Sequence, residues 1–286
     1  MRAFLPDYEL KIPANVGEAL RLLNDEPGVW RPFAGGTDLM VLLEAGKLAH
    51  KRFVSLWSLP ELRGIEISDN HVTTGAMTTY SQIQRHDVLR AEFPLLGEAA
   101  NLTGAIAIQN RGTIGGNIAN ASPAADSLPA LLVYEAELEL ISSAGSRVVP
   151  YVGFHTGYKT TLMREDELIR AIRLPRTTAG WQQHSRKVGT RKAQAISKVC
   201  IAAMAKLDGV TISDIRLAYG SVAPTPVRAW KTEAALKGRK LDSATIQTAR
   251  TELLNELKPI DDIRSTADYR SRVAANLLEE FLGTLA

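Results

Sequence analysis

The amino-acid sequence predicts an α+β fold in two parts. A two-lobed domain spans residues 1–176, with lobes at about 1–55 and 56–176, and a smaller domain spans 177–286. Three observations predict it. Helical periodicities and short apolar runs are interleaved as far as Pro175. Three strand-like runs then succeed one another between residues 181 and 222, as in a three-stranded antiparallel sheet. Beyond Trp230 the apolar spacing is helical.

Asn15 precedes the apolar positions Val16, Ala19, Leu20 and Leu23, so it reads as an N-cap accepting a first-turn amide. Pro27-Gly28 ends that helix, and residues 30–33 lead into a glycine pair. Residues 39–45 read as a helix stopped at Gly46, and 53–56 as a strand. Residues 65–67 and 72–74 flank the turn pair Asp69-Asn70 and form a hairpin. Thr79 or Ser81 opens a further helix. Pro94 opens the next, 94–102, because a first-turn proline loses no intrahelical bond. Ser122-Pro123 reads as the N-cap and first residue of a helix over 124–134. Residues 138–142 and 147–150 pair about Ala144-Gly145, and 168–174 is a strand closed by Pro175. Arg176-Thr177-Thr178-Ala179-Gly180 is a linker, which places the domain boundary. Strands at 181–188, 198–207 and 215–222 follow, then helices at 230–236, 243–257 and 267–282. The last helix offers Leu277, Leu278, Phe281 and Leu282 for docking.

Composition narrows the function. No apolar run reaches the roughly eighteen residues of a membrane span, and the first residues lack the apolar stretch of a signal peptide. A cytoplasmic protein is expected. The net charge is +3. Its strongest basic cluster, Arg186-Lys187 to Arg191-Lys192, is too short for a nucleic-acid footprint. It is either a solvated loop or a neighbour of an anionic cofactor or partner. The single cysteine, Cys200, rules out an internal disulfide and an iron–sulfur cluster ligated by this chain alone. It lies in an apolar run and reads as a buried strand residue. The five histidines show no metal-ligand spacing, so no metal site is expected.

Two glycine pairs stand out: Ala34-Gly35-Gly36-Thr37-Asp38 and Thr113-Ile114-Gly115-Gly116-Asn117. Without Cβ atoms the backbone can take positive φ and approach a ligand closely, and successive amides can form an anion nest. Neither string is the dinucleotide fingerprint G-x-G-x-x-G or the G-x-x-x-x-G-K-[ST] loop. Two such loops suit the two halves of a pyrophosphate, and so a dinucleotide clamped between lobes.

The longer strings Pro32-Phe33-Ala34-Gly35-Gly36-Thr37-Asp38 and Gln109-Asn110-Arg111-Gly112-Thr113-Ile114-Gly115-Gly116-Asn117, the latter continuing to Asp126, closely resemble the FAD-binding subunit of the molybdenum hydroxylases. That family includes bacterial xanthine dehydrogenases, carbon monoxide dehydrogenases, and nicotine or quinoline dehydrogenases. Segments 4–8, 153–161, 166–169, 187–197 and 218–229 resemble it too, so the likeness covers nearly the whole chain. It implies a flavin domain of the vanillyl-alcohol-oxidase type and FAD as the tightly bound cofactor. It also implies a large molybdopterin subunit, which oxidises substrate, and a small subunit carrying two [2Fe–2S] clusters, in a heterotrimer or its dimer. Electrons would pass from the clusters to FAD and on to NAD or another acceptor. Hydroxylation then belongs to a partner, and this chain holds no catalytic residue. Phe154-His155-Thr156-Gly157 looks closer to purine-type enzymes and points to an N-heterocycle. The alternatives are an autonomous FAD-dependent reductase or oxidase, and a docking subunit without flavin.

The resemblance places Ala34, Gly35, Gly36 and Thr37 on the pyrophosphate. Asp38 either caps the helix starting at Leu39, turned away from phosphate, or touches the ligand. Thr113, Gly115, Gly116 and Asn117 match the second flavin loop. Ile114 lies under the flavin or in the core, and Arg111 sits near the flavin or pairs with a surface carboxylate. Asp126 matches an aspartate that binds ribityl or ribose hydroxyls; otherwise it is a helix-end carboxylate favoured by the dipole. Ser122, with Ala121, is a neighbour of that site or an N-cap. Lys187 matches a lysine at the flavin's pyrimidine edge, where a cation steadies reduced flavin; otherwise it is an exposed strand lysine. Ile169 and Leu168 form a ring floor or pack in the core, and Tyr158 and Tyr219 are aromatic candidates near the ring.

Overall fold

The structure, a computed structural model, describes residues 7–192 and 194–285. The chain begins with β1 (Glu9–Lys11), α1 (Val16–Asp25), β2 (Arg31–Phe33), α2 (Leu39–Glu44) and β3 (Arg52–Ser55). Segment 4–8, which carries part of the family resemblance, lies partly outside the described residues. β3 is central and parallel to both neighbours. Parallel strands need crossovers, which α1 and α2 supply. The Asn15 side chain accepts the Glu18 amide at 2.9 Å, and Val16, Ala19, Leu20 and Leu23 form the buried face of α1. That face packs with Trp30, Val54, Leu56 and Leu59.

Next come β4 (Ile65–Ile67), β5 (His71–Gly75), α3 (Tyr80–Arg85), α4 (Asp87–Glu92), α5 (Pro94–Leu102), α6 (Ile106–Arg111), α7 (Ile114–Asn120) and α8 (Ser127–Val133). They are followed by β6 (Glu137–Ser142), β7 (Gly145–Pro150), β8 (His155–Gly157), β9 (Thr160–Thr161) and β10 (Leu168–Pro175). A five-stranded sheet runs β4-β5-β10-β6-β7, while β8 and β9 form a separate hairpin. The helices meet the sheet in a core that includes Ile83, Leu89, Phe93, Ile114, Ile118, Leu131 and Tyr134. Thr79 opens α3 through a reciprocal capping box with Gln82.

Two local expectations change. The second glycine pair is not in a loop but in the first turn of α7, where Thr113 Oγ1 accepts the Gly116 amide at 3.1 Å. The helix expected over 124–134 starts at Ser127 instead. Ser122 does not cap it; its Oγ accepts only the nearby Ala124 amide, at 3.4 Å. The Pro123 carbonyl is drawn off to accept the Ser221 amide at 2.8 Å, which keeps this segment out of the helix.

The remaining strands are β11 (Gln182–Val188), β12 (Val199–Asp208), β13 (Thr211–Gly220) and β14 (Val227–Arg228), followed by α9 (Trp230–Leu236), α10 (Ser243–Glu256) and α11 (Ala267–Thr284). This sheet has four antiparallel strands, not the three expected. β14 is two residues long and follows Pro226, too short to show alternation. The start of β12 is buried on both faces, which explains its unbroken apolar run. Ala202, Met204 and Ala218 face the first core, while Ile201, Ala203, Leu217 and Tyr219 face the second, where α11 packs on β12 and α9 on β13. Tyr219 therefore belongs to the C-terminal core. Arg228 crosses between the two halves: it ion-pairs with Glu233 and donates to the Leu132 carbonyl at 3.1 Å. Among the described residues no helix is long and apolar enough to cross a membrane.

Candidate functional site

A cavity of about 550 Å³ opens where the segment after β2 faces α7. Its wall contains Ala34, Gly35, Gly36, Thr37 and Asp38 from one side and Thr113, Gly115, Gly116 and Asn117 from the other. Leu168 and Ile169 of β10 also line it.

The glycines have separate reasons to be glycine. A Cβ on Gly35 would stand 1.9 Å from the Arg111 carbonyl oxygen, and one on Gly115 would stand 2.5 Å from the Ala76 Cβ. These two allow protein to touch protein. Gly36 has φ +77°, where a side chain is strained and would meet the Phe33 ring. A Cβ on Gly116 would meet Thr113 Oγ1 at 2.8 Å and point towards Ala34, 3.5 Å away.

Among the described residues, the amides of Gly35, Gly36, Thr37 and Asp38 find no acceptor in the protein. Gly36 is buried. Consecutive unpaired amides form a nest for an anion, and a buried amide without a partner is costly. Two cations, Arg31 and Lys159, share the same wall. Lys159 Nζ donates to Asn120 Oδ1 at 2.6 Å, and Asn120 Nδ2 donates to Asp38 Oδ1 at 3.1 Å. Burial pulls the Lys159 pKa down, and Asp38 opposes that shift. Asp38 thus makes no cap bond to α2; its carboxylate turns across the cavity to Asn120. Lys159 comes from the β8–β9 hairpin, where it adopts φ 58°. His155 of the same hairpin places Nε2 3.1 Å from the Ile118 carbonyl, so the proton is assigned to Nε2, and burial lowers its pKa.

Other candidates lie off the cavity wall. Ile114 is fully buried in the core. The Arg111 guanidinium stacks on Trp57 at 3.7 Å and has no carboxylate partner among the described residues. Ser122 stays in its local turn. Asp126 and Lys187 form a buried pair at 2.6 Å, with side chains 10% and 11% exposed, which overturns an exposed strand lysine. Ser197 also donates to Asp126, and Lys187 donates to the Leu102 carbonyl at 3.0 Å. Burial raises the Asp126 pKa against the attraction of Lys187. Asp126 sits at the start of α8 yet makes no cap bond there. Tyr158 is exposed.

Sequence reasoning missed Arg31, Tyr80, Thr103, Ile108, Asn120 and Lys159, all on the cavity wall. None belongs to a glycine pair, and only the fold brings them together. The site offers amides and cations for a phosphate at one region of the wall. It offers Met77, Ile108, Met163, Leu168 and Ile169 for an apolar ring system. That donor set fits a flavin dinucleotide.

Comparison with known proteins agrees. Residues 6–177 match the FAD binding domain in molybdopterin dehydrogenase, and residues 184–285 match the CO dehydrogenase flavoprotein C-terminal domain. The carbon monoxide dehydrogenase medium chain of Hydrogenophaga pseudoflava is 32% identical, over 97% of this chain and 96% of its own length. A putative xanthine dehydrogenase FAD-binding subunit of Escherichia coli K12 is also 32% identical, over 94% and 92%. The solved carbon monoxide dehydrogenase from H. pseudoflava that lacks the Mo-pyranopterin moiety superposes with a TM-score of 0.92 at 33% identity, covering 97% of this chain and 96% of that one. The chain therefore belongs to the FAD-binding medium subunits of the molybdopterin-dependent hydroxylases.

Proposed function

We propose that this chain is the electron-transfer subunit of a cytoplasmic heterotrimer. It would take electrons from [2Fe–2S] clusters of a small partner and pass them to NAD or another acceptor, while a large molybdopterin subunit oxidises the substrate. The observation that carries the reading is the run of unpaired amides at 35–38, facing Gly116 across a cavity lined by Arg31 and Lys159. In this reading those amides and the two cations hold the pyrophosphate of FAD. Thr113 and Asn117 hold it from the opposite wall, and Ile169 packs against the ring. Asp126 and Lys187, which lie off the wall described above, would extend the polar end of the site, with Lys187 oriented by Asp126 and the Leu102 carbonyl. FAD supplies one- and two-electron redox chemistry when bound; the chain supplies binding, orientation and field. The 1–55 and 56–176 lobes would form a vanillyl-alcohol-oxidase-type clamp, with residues 177–286 as a separate domain.

Cys200 is the only cysteine, so cluster ligands must come from elsewhere. The substrate is proposed to be an N-heterocycle on the strength of Phe154-His155-Thr156-Gly157. Identity to carbon monoxide and xanthine dehydrogenase subunits stands level at 32% and favours neither. Copurification followed by metal and flavin analysis tests the assembly. The complex is expected to contain molybdenum, iron and FAD, with a flavin band that substrate bleaches. The chain alone is expected to contain flavin only and to ignore substrate. Substrate-dependent bleaching by the metal-free chain would establish the autonomous flavoenzyme instead.

A further inference from the structure

Tyr80 carries a buried hydroxyl with no partner. The residue is 2% exposed and its oxygen makes no hydrogen bond among the described residues. The ring is packed beside the Gly112 backbone. Thr79 caps α3 directly before it, its own amide donates to the Gly112 carbonyl at 3.2 Å, and a Cβ on Gly112 would lie 3.0 Å from the ring. The side chain lines the cavity beside Thr103 and Ile108.

The nearest hydroxyls, on Ser127 and Thr103, have already committed their protons. Ser127 donates to Asn117 Oδ1 at 2.6 Å and Thr103 donates to the Ala99 carbonyl at 2.8 Å. Each hydroxyl has one proton to give. Both hydroxyls lie close enough to Tyr80 to oppose in part the rise that burial gives its pKa, yet neither meets the full geometry of a hydrogen bond with it. Burial raises the phenol's pKa, so it stays protonated and remains a donor. A buried donor without an acceptor is costly, and here it borders a cavity.

We propose that the Tyr80 hydroxyl donates a hydrogen bond to an acceptor atom of the bound FAD, at the end of the cavity lined by Thr103 and Ile108. The proposal rests on the FAD-subunit reading. It gives Tyr80→Phe opposite effects on the two states of the protein. The flavin-free variant loses an unsatisfied hydroxyl, and the loaded variant loses a bond.

The test compares full-length wild type and Tyr80→Phe, both stripped of flavin. Each is melted and then titrated with FAD, following flavin fluorescence. The expected result is an apo-protein melting temperature that is unchanged or raised, with a dissociation constant for FAD raised roughly tenfold. An unchanged dissociation constant overturns the proposal. So does a lower apo melting temperature, or a variant that does not fold, because the hydroxyl would then already be paired within the protein. Wild-type chain that takes up no FAD overturns the FAD-subunit reading itself, a result visible before the variant is made.

Discussion

Gly35 and Gly116 are both short of space, but different neighbours set the limit. At Gly35 the obstacle is the Arg111 backbone, so Gly35→Ala must push two segments apart. That change is expected to cost about 1–3 kcal/mol of stability, read from urea unfolding. At Gly116 the first obstacle is a threonine hydroxyl, and beyond it lies the facing loop. Gly116→Val is expected to leave the circular dichroism spectrum intact and to abolish flavin occupancy. Full FAD content in the folded variant would remove Gly116 from the site. Asp126 is a different case, because its partner is itself buried. Asp126→Ala leaves Lys187 with the Leu102 carbonyl as its one hydrogen-bond acceptor among the described residues. It is expected to lower stability by about 3–5 kcal/mol and to weaken FAD by about 1–3 kcal/mol. Melting the apo-protein and titrating it with FAD separates the two losses.

The β8–β9 hairpin carries Lys159 to the cavity, and His155 ties it to the end of α7. His155 is held below its usual value of 6.5 by burial, so the native state prefers the neutral ring. Above about pH 6.5 both native and unfolded forms are neutral and the tie is intact. As pH falls below 6.5 the unfolded chain takes the proton first, and stability declines towards the lowered native value. His155→Gln keeps a donor for the Ile118 carbonyl and does not titrate. Its melting temperature is expected to fall less than that of wild type between about pH 7 and pH 5.5, and equal slopes would clear His155 of the role. Elements such as these differ in how far the chain announces them. Asn15 and its spaced apolar face were legible, since the cap and the periodicity lie within one turn. The α8 start was not, because Pro123 is claimed by Ser221 from the other half of the molecule. β14 is fixed by its pairing with Ala218 and Tyr219 rather than by its own two residues. The glycine pairs marked the cavity, but Tyr80, Arg31 and Lys159 reach it only through tertiary placement. The same holds for Asp126, whose partners Lys187 and Ser197 lie on and beyond β11.

At the scale of the molecule, one sheet face belongs to each core, and Arg228 fastens the halves. Its side chain is 4% exposed, and it meets Glu233 in one half and Glu135 and the Leu132 carbonyl in the other. Arg228→Met removes the cation and strands Glu233, whose pKa burial already raises. A loss of about 3–5 kcal/mol is expected in denaturant unfolding. A loss below 1 kcal/mol would show that the apolar contacts of β12 and β13 hold the halves without it. The contact of Gly35 with Arg111 has a kinetic consequence. The two walls of the cavity meet backbone to backbone, with no side chain between them to rotate aside. A change in the width of the cavity at this point must then move a whole backbone segment rather than flip a rotamer, so the spacing of the two walls persists on the time scale of side-chain motion.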